Sequence, residues 1–295
     1  MPELRSKARA IAIAALPKSL VSFIRNCRYR GYLAHVKYLL KFKIYRQRYA
    51  KANATAPDST IVLPANCSIR VPSHVGDVRD AFEYFGWKDP DAVDEFAGFM
   101  RAAAGRKTLW DVGALFGFFS LAFTLADTGR RALAFEPNPD SCKKLKECLS
   151  LNANAHVEVF EFALGLPGEV VAFQGGFHFI AAAGLEVQPG SDLTQIETAS
   201  IDQLIERKFD PPDMIKIDVE GHEFEVLQGA RKLLLSNKPL LSLEVHPGAL
   251  SHKRISPLAI AQYLEEAGYI FRTMQNKRVK RDFFDRRDTF RVLAM

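Results

Sequence analysis

Residues 107–123, KTLWDVGALFGFFSLAF, decide how the rest of the chain is read. TLWDV is apolar on both faces, as a strand buried inside a sheet must be, and it stops at Gly113. After Gly117 the run FFSLAFTLAD has the length and apolar density of a buried helix. A strand that turns on glycines into a helix is the opening unit of a parallel α/β sheet.

Downstream the alternation continues. RALAFEP reads as a strand and Asp140–Asn152 as a helix with Pro139 at its start. VEVFEFALG is a third strand and VVAFQGG a further piece in a hairpin, followed by a Gly- and polar-rich stretch over 175–198. A short helix over 201–208, the strand MIKIDVEG, the helix HEFEVLQGARKLLLS, the strand PLLSLEVHP and the helix SPLAIAQYLEEAG follow. YIFRTM and TFRVLAM close the series as two strands able to pair antiparallel across a basic loop, 275–289. The expected fold is α/β: a Rossmann-like, mostly parallel sheet with an antiparallel last strand, over 107–295. Residues 52–106, broken by Pro57, Pro64, Pro72 and Pro90, end in an aromatic helical segment expected to cap the sheet or the cofactor mouth.

Charge sets the N-terminal segment apart. Residues 1–51 carry 13 Lys and Arg against Glu3 alone, a net of +12, and the remainder has 27 basic against 33 acidic residues. This basic helical arm, with Ile24, Tyr32, Val36, Leu39, Leu40 and Ile44 spaced among its cations, is expected either to lie on an anionic membrane surface or to pack as an extension. The apolar run at 10–16 is too short to span a bilayer and too minimal for a signal peptide. Four cysteines without metal-type pairing fit packed thiols in a reducing compartment, so a cytoplasmic location, possible at a membrane face, is expected.

In an open parallel sheet the ligand sits beyond the carboxyl ends of the strands. Asp111, Gly113 and Gly117 stand at the end of the first strand, and Glu136, 19 residues after Gly117, ends the second. An acid at that offset can accept from two ribose hydroxyls. Leu115 occupies the central glycine position of a dinucleotide turn, and no GxxxxGK[ST] run exists, so phosphate cradling is disfavoured. A nucleoside ligand without phosphate remains, S-adenosylmethionine.

DVGALFGFFSLAF, ALAFEPNPDSCKKL, ALGLPGE, SIDQLI, LLSLEVHP and above all DMIKIDVEGHEFEVLQGARKLL resemble the FkbM-type methyltransferases over roughly residues 75–295. The resemblance implies S-adenosylmethionine as cofactor and O-methylation of a sugar, glycan or other small hydroxylated metabolite. It also implies that Asp111, Gly113 and Gly117 line the cofactor's amino-acid end, that Glu136 holds its ribose, and that Ala163 and Leu164 flank its adenine. The family usually reads Gly-Ala-Asn-x-Gly in the first turn, and here Leu115 replaces the Asn.

DVEGHE and LEVHP end two strands that the resemblance sets side by side, so Asp218, Glu220, His222, Glu244 and His246 are expected to converge at the sheet edge. Transfer of a methyl group to oxygen needs the hydroxyl aligned and its proton removed. Asp218 is the first candidate for the catalytic zone and for contact with the cofactor's amino group; His246 and His222 compete as base, with Glu244 beside them. A metal-free acid/base site is favoured, although this donor set also suits a divalent ion. Other readings are a nicotinamide oxidoreductase, disfavoured by Leu115, and a catalytically inactive binding or targeting module. Nucleic acid is not an expected partner, because no aromatic-interleaved basic patch is present. The acceptor wall is expected in the variable segments, with Phe173, Phe177, His178 and Phe179 as aromatic candidates.

Overall fold

The computed structural model describes residues 29–55, 59–63, 67–174, 179–180 and 193–295. The chain divides into two units, Met1–Lys51 and Ala52–Met295. Helix α1 (Tyr29–Ala54) forms the described part of the first and runs on into the start of the second. Along it Tyr45 packs against Phe42 and Tyr49, with ring centroids 6.3 and 4.7 Å apart, and Ile44 is exposed. The apolar run at 10–16, Ile24, Cys27 and the side chains of Tyr32, Val36, Leu39 and Leu40 lie outside the described residues. Among the described residues no helix is long and apolar enough to cross a membrane.

The second unit begins with a short antiparallel pair, β1 (Thr60–Val62) and β2 (Ser68–Arg70). Helices α2 (Gly76–Glu83) and α3 (Pro90–Ala102) follow. The single aromatic helix expected here is interrupted by a π turn at Tyr84–Lys88. The chain restarts at Asp89, whose carboxylate accepts from Asp91 N (3.0 Å) and Ala92 N (2.9 Å) ahead of Pro90 at the first helical position. Then come β3 (Thr108–Val112), α4 (Phe118–Leu125), β4 (Arg131–Phe135), α5 (Pro139–Leu151) and β5 (Val157–Phe160). A separate three-stranded sheet takes β6 (Val170–Gln174), β7 (Phe179–Ile180) and β8 (Leu193–Glu197). The last stretch holds α6 (Ile201–Glu206), β9 (Met214–Ile217), α7 (Glu223–Gln228), α8 (Arg231–Ser236), β10 (Leu240–Val245), α9 (Pro247–His252), α10 (Pro257–Glu266), β11 (Phe271–Arg272), β12 (Arg278–Val279) and β13 (Phe290–Ala294).

Eight strands make the main sheet, in the order β12-β11-β13-β10-β9-β3-β4-β5. β10, β9, β3, β4 and β5 are parallel, and β13 enters antiparallel between β10 and β11. Every residue of β3, β9 and β10 is buried, which is why these strands read as continuous apolar runs. One face packs against an aromatic layer from α2–α4, where Phe96, Phe99, Phe118 and Phe119 meet edge to face at 4.9–5.2 Å. The other face packs against α6–α8 and α10, through Trp110, Ile215, Leu241, Val226, Leu233 and Ile260.

Two further elements differ from the sequence reading. Residues 193–197 form β8, paired antiparallel to β6, within a stretch that lacks apolar alternation. The helix expected over 222–236 breaks at Gly229. A Cβ there would lie 2.1 Å from Gly165 O, and the Gly229 carbonyl accepts from Asp202 N (2.9 Å) outside the helix. Asp202 also accepts from Lys232 N (2.8 Å) and Leu233 N (3.0 Å), capping the new start.

Chain order reverses at β3: the chain leaves it for β4 on one side and returns on the other at β9. The crevice of an open α/β sheet therefore lies beyond Val112 and Ile217.

Candidate active site

The turn after β3 is built for close approach. Asp218 N donates to Val112 O (3.0 Å), so β9 runs on beside the turn. A Cβ on Gly113 (φ +83°) would sit 1.8 Å from Asp218 O, and one on Gly117 (φ +78°) 2.1 Å from Leu145 Cδ1. Both positions require glycine. Asp111 is buried and turned inward: its Oδ2 accepts from Ser120 N (3.1 Å) and Ser120 Oγ (2.7 Å), fixing the first turn of α4. It builds the turn, which corrects its expected position along the ligand's path.

Glu136, at the end of β4, is buried and accepts from Leu115 N (2.8 Å) and Asn138 N (2.8 Å), one on each oxygen. Burial pushes its carboxyl up to about 7, against the pull of those two amides. Leu115 has φ +49°, left-handed backbone that Asn tolerates well and Leu poorly. Its contact to Glu136 uses the backbone amide, which every residue but proline supplies, so the missing Asn side chain leaves that hydrogen bond intact.

Beside the turn is a narrow slot lined by Gly113, Phe135, Pro137, Ala163, Leu164, Val171, Val219 and His222. The structure thus brings Ala163 and Leu164 to Gly113. It also puts His222 here, away from the other candidate bases. Lys253 Nζ donates to His222 Nδ1 (2.8 Å) and to Glu225 Oε1 (2.8 Å), while Glu169 Oε2 lies 3.3 Å from His222 Nε2. Burial, with Lys253 second, lowers the imidazole to about 4, so it is neutral and its proton is on Nε2. With no lone pair free, His222 is not a base here.

The remaining groups meet at the mouth between β9 and β10. Single donor atoms of Asp218, Glu220 and His246 lie within 4.8 Å of one another. His246 Nδ1 donates to Glu223 Oε1 (2.7 Å), which also accepts from Gly221 N (2.8 Å). His246 Nε2 faces Glu220 Oε2 (3.4 Å) and Asp218 Oδ1 (3.9 Å). Burial opposes charge on His246, but the Glu223 hydrogen bond and the carboxylates of Asp218 and Glu220 outweigh it and raise the imidazole to about 9. Asp218 has the reverse balance: burial opposes its charge, and Lys216 Nζ at 3.0 Å together with His246 holds it below the usual carboxylate range.

Behind the mouth is a buried ion network. Lys216 lies 3.6 Å from Glu95 Oε1 and 4.4 Å from the Phe119 ring centroid. Arg291 on β13 reaches Glu95 Oε2 and Glu244 Oε1, both at 2.6 Å. Burial and the neighbouring charges of Asp218 and Glu95 push Glu244 up to about 9. Tied to Arg291 and 4.0 Å from His246 Nε2, it supports the mouth from behind. The expected five-fold convergence is thus corrected: His222 belongs to the slot, and Glu244 to the network.

The family model described as Methyltransferase FkbM domain matches residues 111–271. The chain belongs to this family. The FkbM match takes in the turn, Glu136, the slot and the mouth, and stops before β13. Hexuronic acid methyltransferase AglP of Haloferax volcanii is 33% identical over 160 residues, covering 54% of this chain and 62% of that protein. This chain thus matches less than two thirds of that relative's length. Among solved structures, Methyltransferase FkbM from Methylobacillus flagellatus KT is 21% identical, covering 68% of this chain and 48% of that one, with a TM-score of 0.45. Precorrin-6y C5,15-methyltransferase from Geobacter metallireducens GS-15 is 15% identical, covering 68% and 86%, with a TM-score of 0.41.

The sequence pattern does not single out Glu223, Lys216, Glu95 or Arg291 for the site. Lys216 carried a signal: a lysine inside MIKID, an otherwise apolar strand, must find buried anions. Glu95 and Arg291 gave none, since only the fold joins α3 to β13. Phe177 and His178 lie outside the described residues, as do the side chains of Phe173 and Phe179.

Proposed function

We propose that this FkbM-family chain is an S-adenosylmethionine-dependent O-methyltransferase acting on a hydroxyl of a sugar, glycan or related small metabolite. The observation that carries it is the His246–Glu223 pair, an imidazole oriented by a fully buried carboxylate and opening beside the Gly113 turn. AglP, named as acting on hexuronic acid, supports the sugar class.

The residues suit the cofactor. Gly113 and Gly117 let the turn pack directly on Asp218 and Leu145, and each Glu136 oxygen accepts one amide, leaving lone pairs for ribose hydroxyls. The slot at Ala163 and Leu164 is apolar enough for adenine, but its free space of about 20 Å³ is smaller than a purine. Val171 or the Pro137 turn has to yield on binding.

When bound, S-adenosylmethionine supplies an electrophilic methyl group on a sulfonium sulfur. Asp218, kept ionised by Lys216, offers a carboxylate to positive charge at the mouth. His246 takes the proton of the acceptor hydroxyl on Nε2, and Glu223 stabilises the imidazolium through Nδ1. In the resting protein His246 already holds a proton. Positive charge brought against Asp218 removes only the Asp218 share of the pull on that proton, while the larger share from Glu223 stays, so the base form grows as pH rises toward about 9. Asp218, Glu220 and His246 also suit a divalent ion, and the metal-free reading assigns His246 its role without one. Turnover unchanged by chelator is expected, and a loss restored by added Mg²⁺ or Mn²⁺ would overturn this reading.

The deciding test is calorimetric titration with S-adenosylmethionine and S-adenosylhomocysteine, with NAD as control, followed by methyl transfer to sugars. Micromolar binding of the first two is expected. Absence of binding would favour the inactive-module reading. The net +12 of residues 1–51 supports peripheral contact of a cytoplasmic protein with an anionic membrane. Sedimentation with anionic liposomes should weaken with salt and disappear without those residues.

A further inference from the structure

The fold leaves two buried polar atoms unpaired beside the slot. His222 Nε2 and Glu169 Oε2 are both shielded from solvent, and among the described residues neither has a hydrogen-bond partner. They face each other at 3.3 Å with no hydrogen bond between them. Buried polar groups are nearly always paired, so a spare donor next to a spare acceptor points to a ligand that meets both. The proton transfer at the mouth uses neither.

Each atom is held in place by its own surroundings. Lys253 Nζ donates to His222 Nδ1 (2.8 Å), which keeps the ring proton on Nε2. Gly165 lets the chain lie against that edge of the ring, since a Cβ there would stand 2.6 Å from Nε2. The imidazole, 4% exposed, lines the slot with Ala163, Leu164 and Val171. Glu169 directly precedes β6, the strand that brings Val171 to the slot. Its carbonyl accepts from Thr198 N (2.7 Å), tying it to the residue that follows β8. Burial, with Glu225 second, raises its carboxyl above the ordinary range, as expected of an acceptor short of donors.

We propose that His222 and Glu169 read the amine-bearing edge of the cofactor's adenine: Nε2–H donates to a ring nitrogen, and Glu169 Oε2 accepts from the exocyclic amine. On that edge adenine sets an acceptor nitrogen next to an N–H donor, whereas guanine and hypoxanthine put a carbonyl oxygen where the amine stands. Such an oxygen would meet the Glu169 carboxylate acceptor to acceptor. Val171, which lines the tight slot, is two residues from Glu169, so a shift of β6 that admits the base also parts the two atoms to receive it. The proposal rests on the S-adenosylmethionine reading above, and its test has a readout independent of turnover.

Calorimetry compares S-adenosylhomocysteine with S-inosylhomocysteine, its deaminated form, on the full chain with no acceptor present. The wild-type protein should bind the adenosyl compound more tightly by roughly a hundredfold, because the wrong base leaves buried groups unpaired. E169Q, whose amide can donate to a carbonyl oxygen, should weaken adenosyl binding and strengthen inosyl binding, bringing the two within about tenfold. H222F keeps a flat ring without a donor and should weaken adenosyl binding by about tenfold or more. E197Q, an exposed acid on β8, should leave both affinities unchanged. Thermal melting checks that each variant is folded, and E169Q carries the test alone if H222F is not. Equal binding of both compounds by the wild type, or a preference that survives E169Q, would overturn the proposal. An equal change in E197Q would also overturn it, by making the effect a general field. Adenosyl binding untouched in a folded H222F would remove His222 from the reading of the base. Binding of neither compound would sink the cofactor reading and the proposal with it, whereas tight adenosyl binding with an unmoved preference sinks the proposal alone.

Discussion

His222 and His246 follow neighbouring strands of one sheet, the first by five residues and the second directly, and both are more than nine-tenths buried, yet they hold opposite charge states. His222 meets an ammonium at 2.8 Å and is lowered to about 4; His246 meets a carboxylate at 2.7 Å and is raised to about 9. Burial opposes the charge of both, so the partner decides the sign. One imidazole is a fixed neutral wall of the slot. The other holds an exchangeable proton at the mouth.

The comparison breaks most readily at turnover. H246Q should lower kcat by roughly 10²- to 10⁴-fold, the range of a lost general base. H222Q should mainly weaken S-adenosylmethionine binding and leave most of kcat. Equal losses of kcat would abolish the distinction. Next in size, E136Q should weaken cofactor binding by about tenfold to a hundredfold, as for a lost charged hydrogen bond. In the wild type that binding should tighten as pH rises to about 7, where Glu136 ionises, and E136Q should flatten the trend. Calorimetry across pH 5–8 checks both.

Melting temperature against pH sharpens the contrast further. The raised His246 adds stability that is complete below about 6.5 and lost as pH climbs through about 9, on the order of 3 kcal/mol. The lowered His222 acts in reverse, costing stability as pH falls from about 6.5 toward 4. H246Q should flatten the alkaline limb and H222Q the acid limb; a variant that flattens the wrong one refutes the assigned partners. The smallest effect is expected at the turn. L115N should relieve left-handed strain of about 1 kcal/mol and raise the melting temperature by roughly 2–4 °C.

The first half of the site was legible because local pattern encodes it. Gly113, Gly117 and Glu136 stand at fixed offsets from strand ends, and an apolar strand closed by glycine is visible without a fold. Asp111 misled for a local reason as well, since the same offset serves a carboxylate that caps a helix from within. The second half was legible as a list of residues but not as a partition. Side-chain alternation put Asp218 with Glu220 and Glu244 with His246, but His222 lies past the positive-φ pair Glu220 and Gly221, where strand alternation no longer applies. Helix 222–236 looked continuous because its break depends on Gly165 and Asp202, far along the chain. Arg291 needed the insertion of β13, a pairing that no local signal specifies.

That insertion has a consequence for how the protein is made. Synthesis delivers β10 and the β11–β12 hairpin before the strand that must enter between them. Until residue 291 emerges from the ribosome, Glu95 and Glu244 lack the guanidinium they share. Two acids with only Lys216 as counter-charge resist enclosure. The nascent edge therefore stays hydrated and open, and the arrival of one arginine both zips the sheet and switches on the electrostatics of the site.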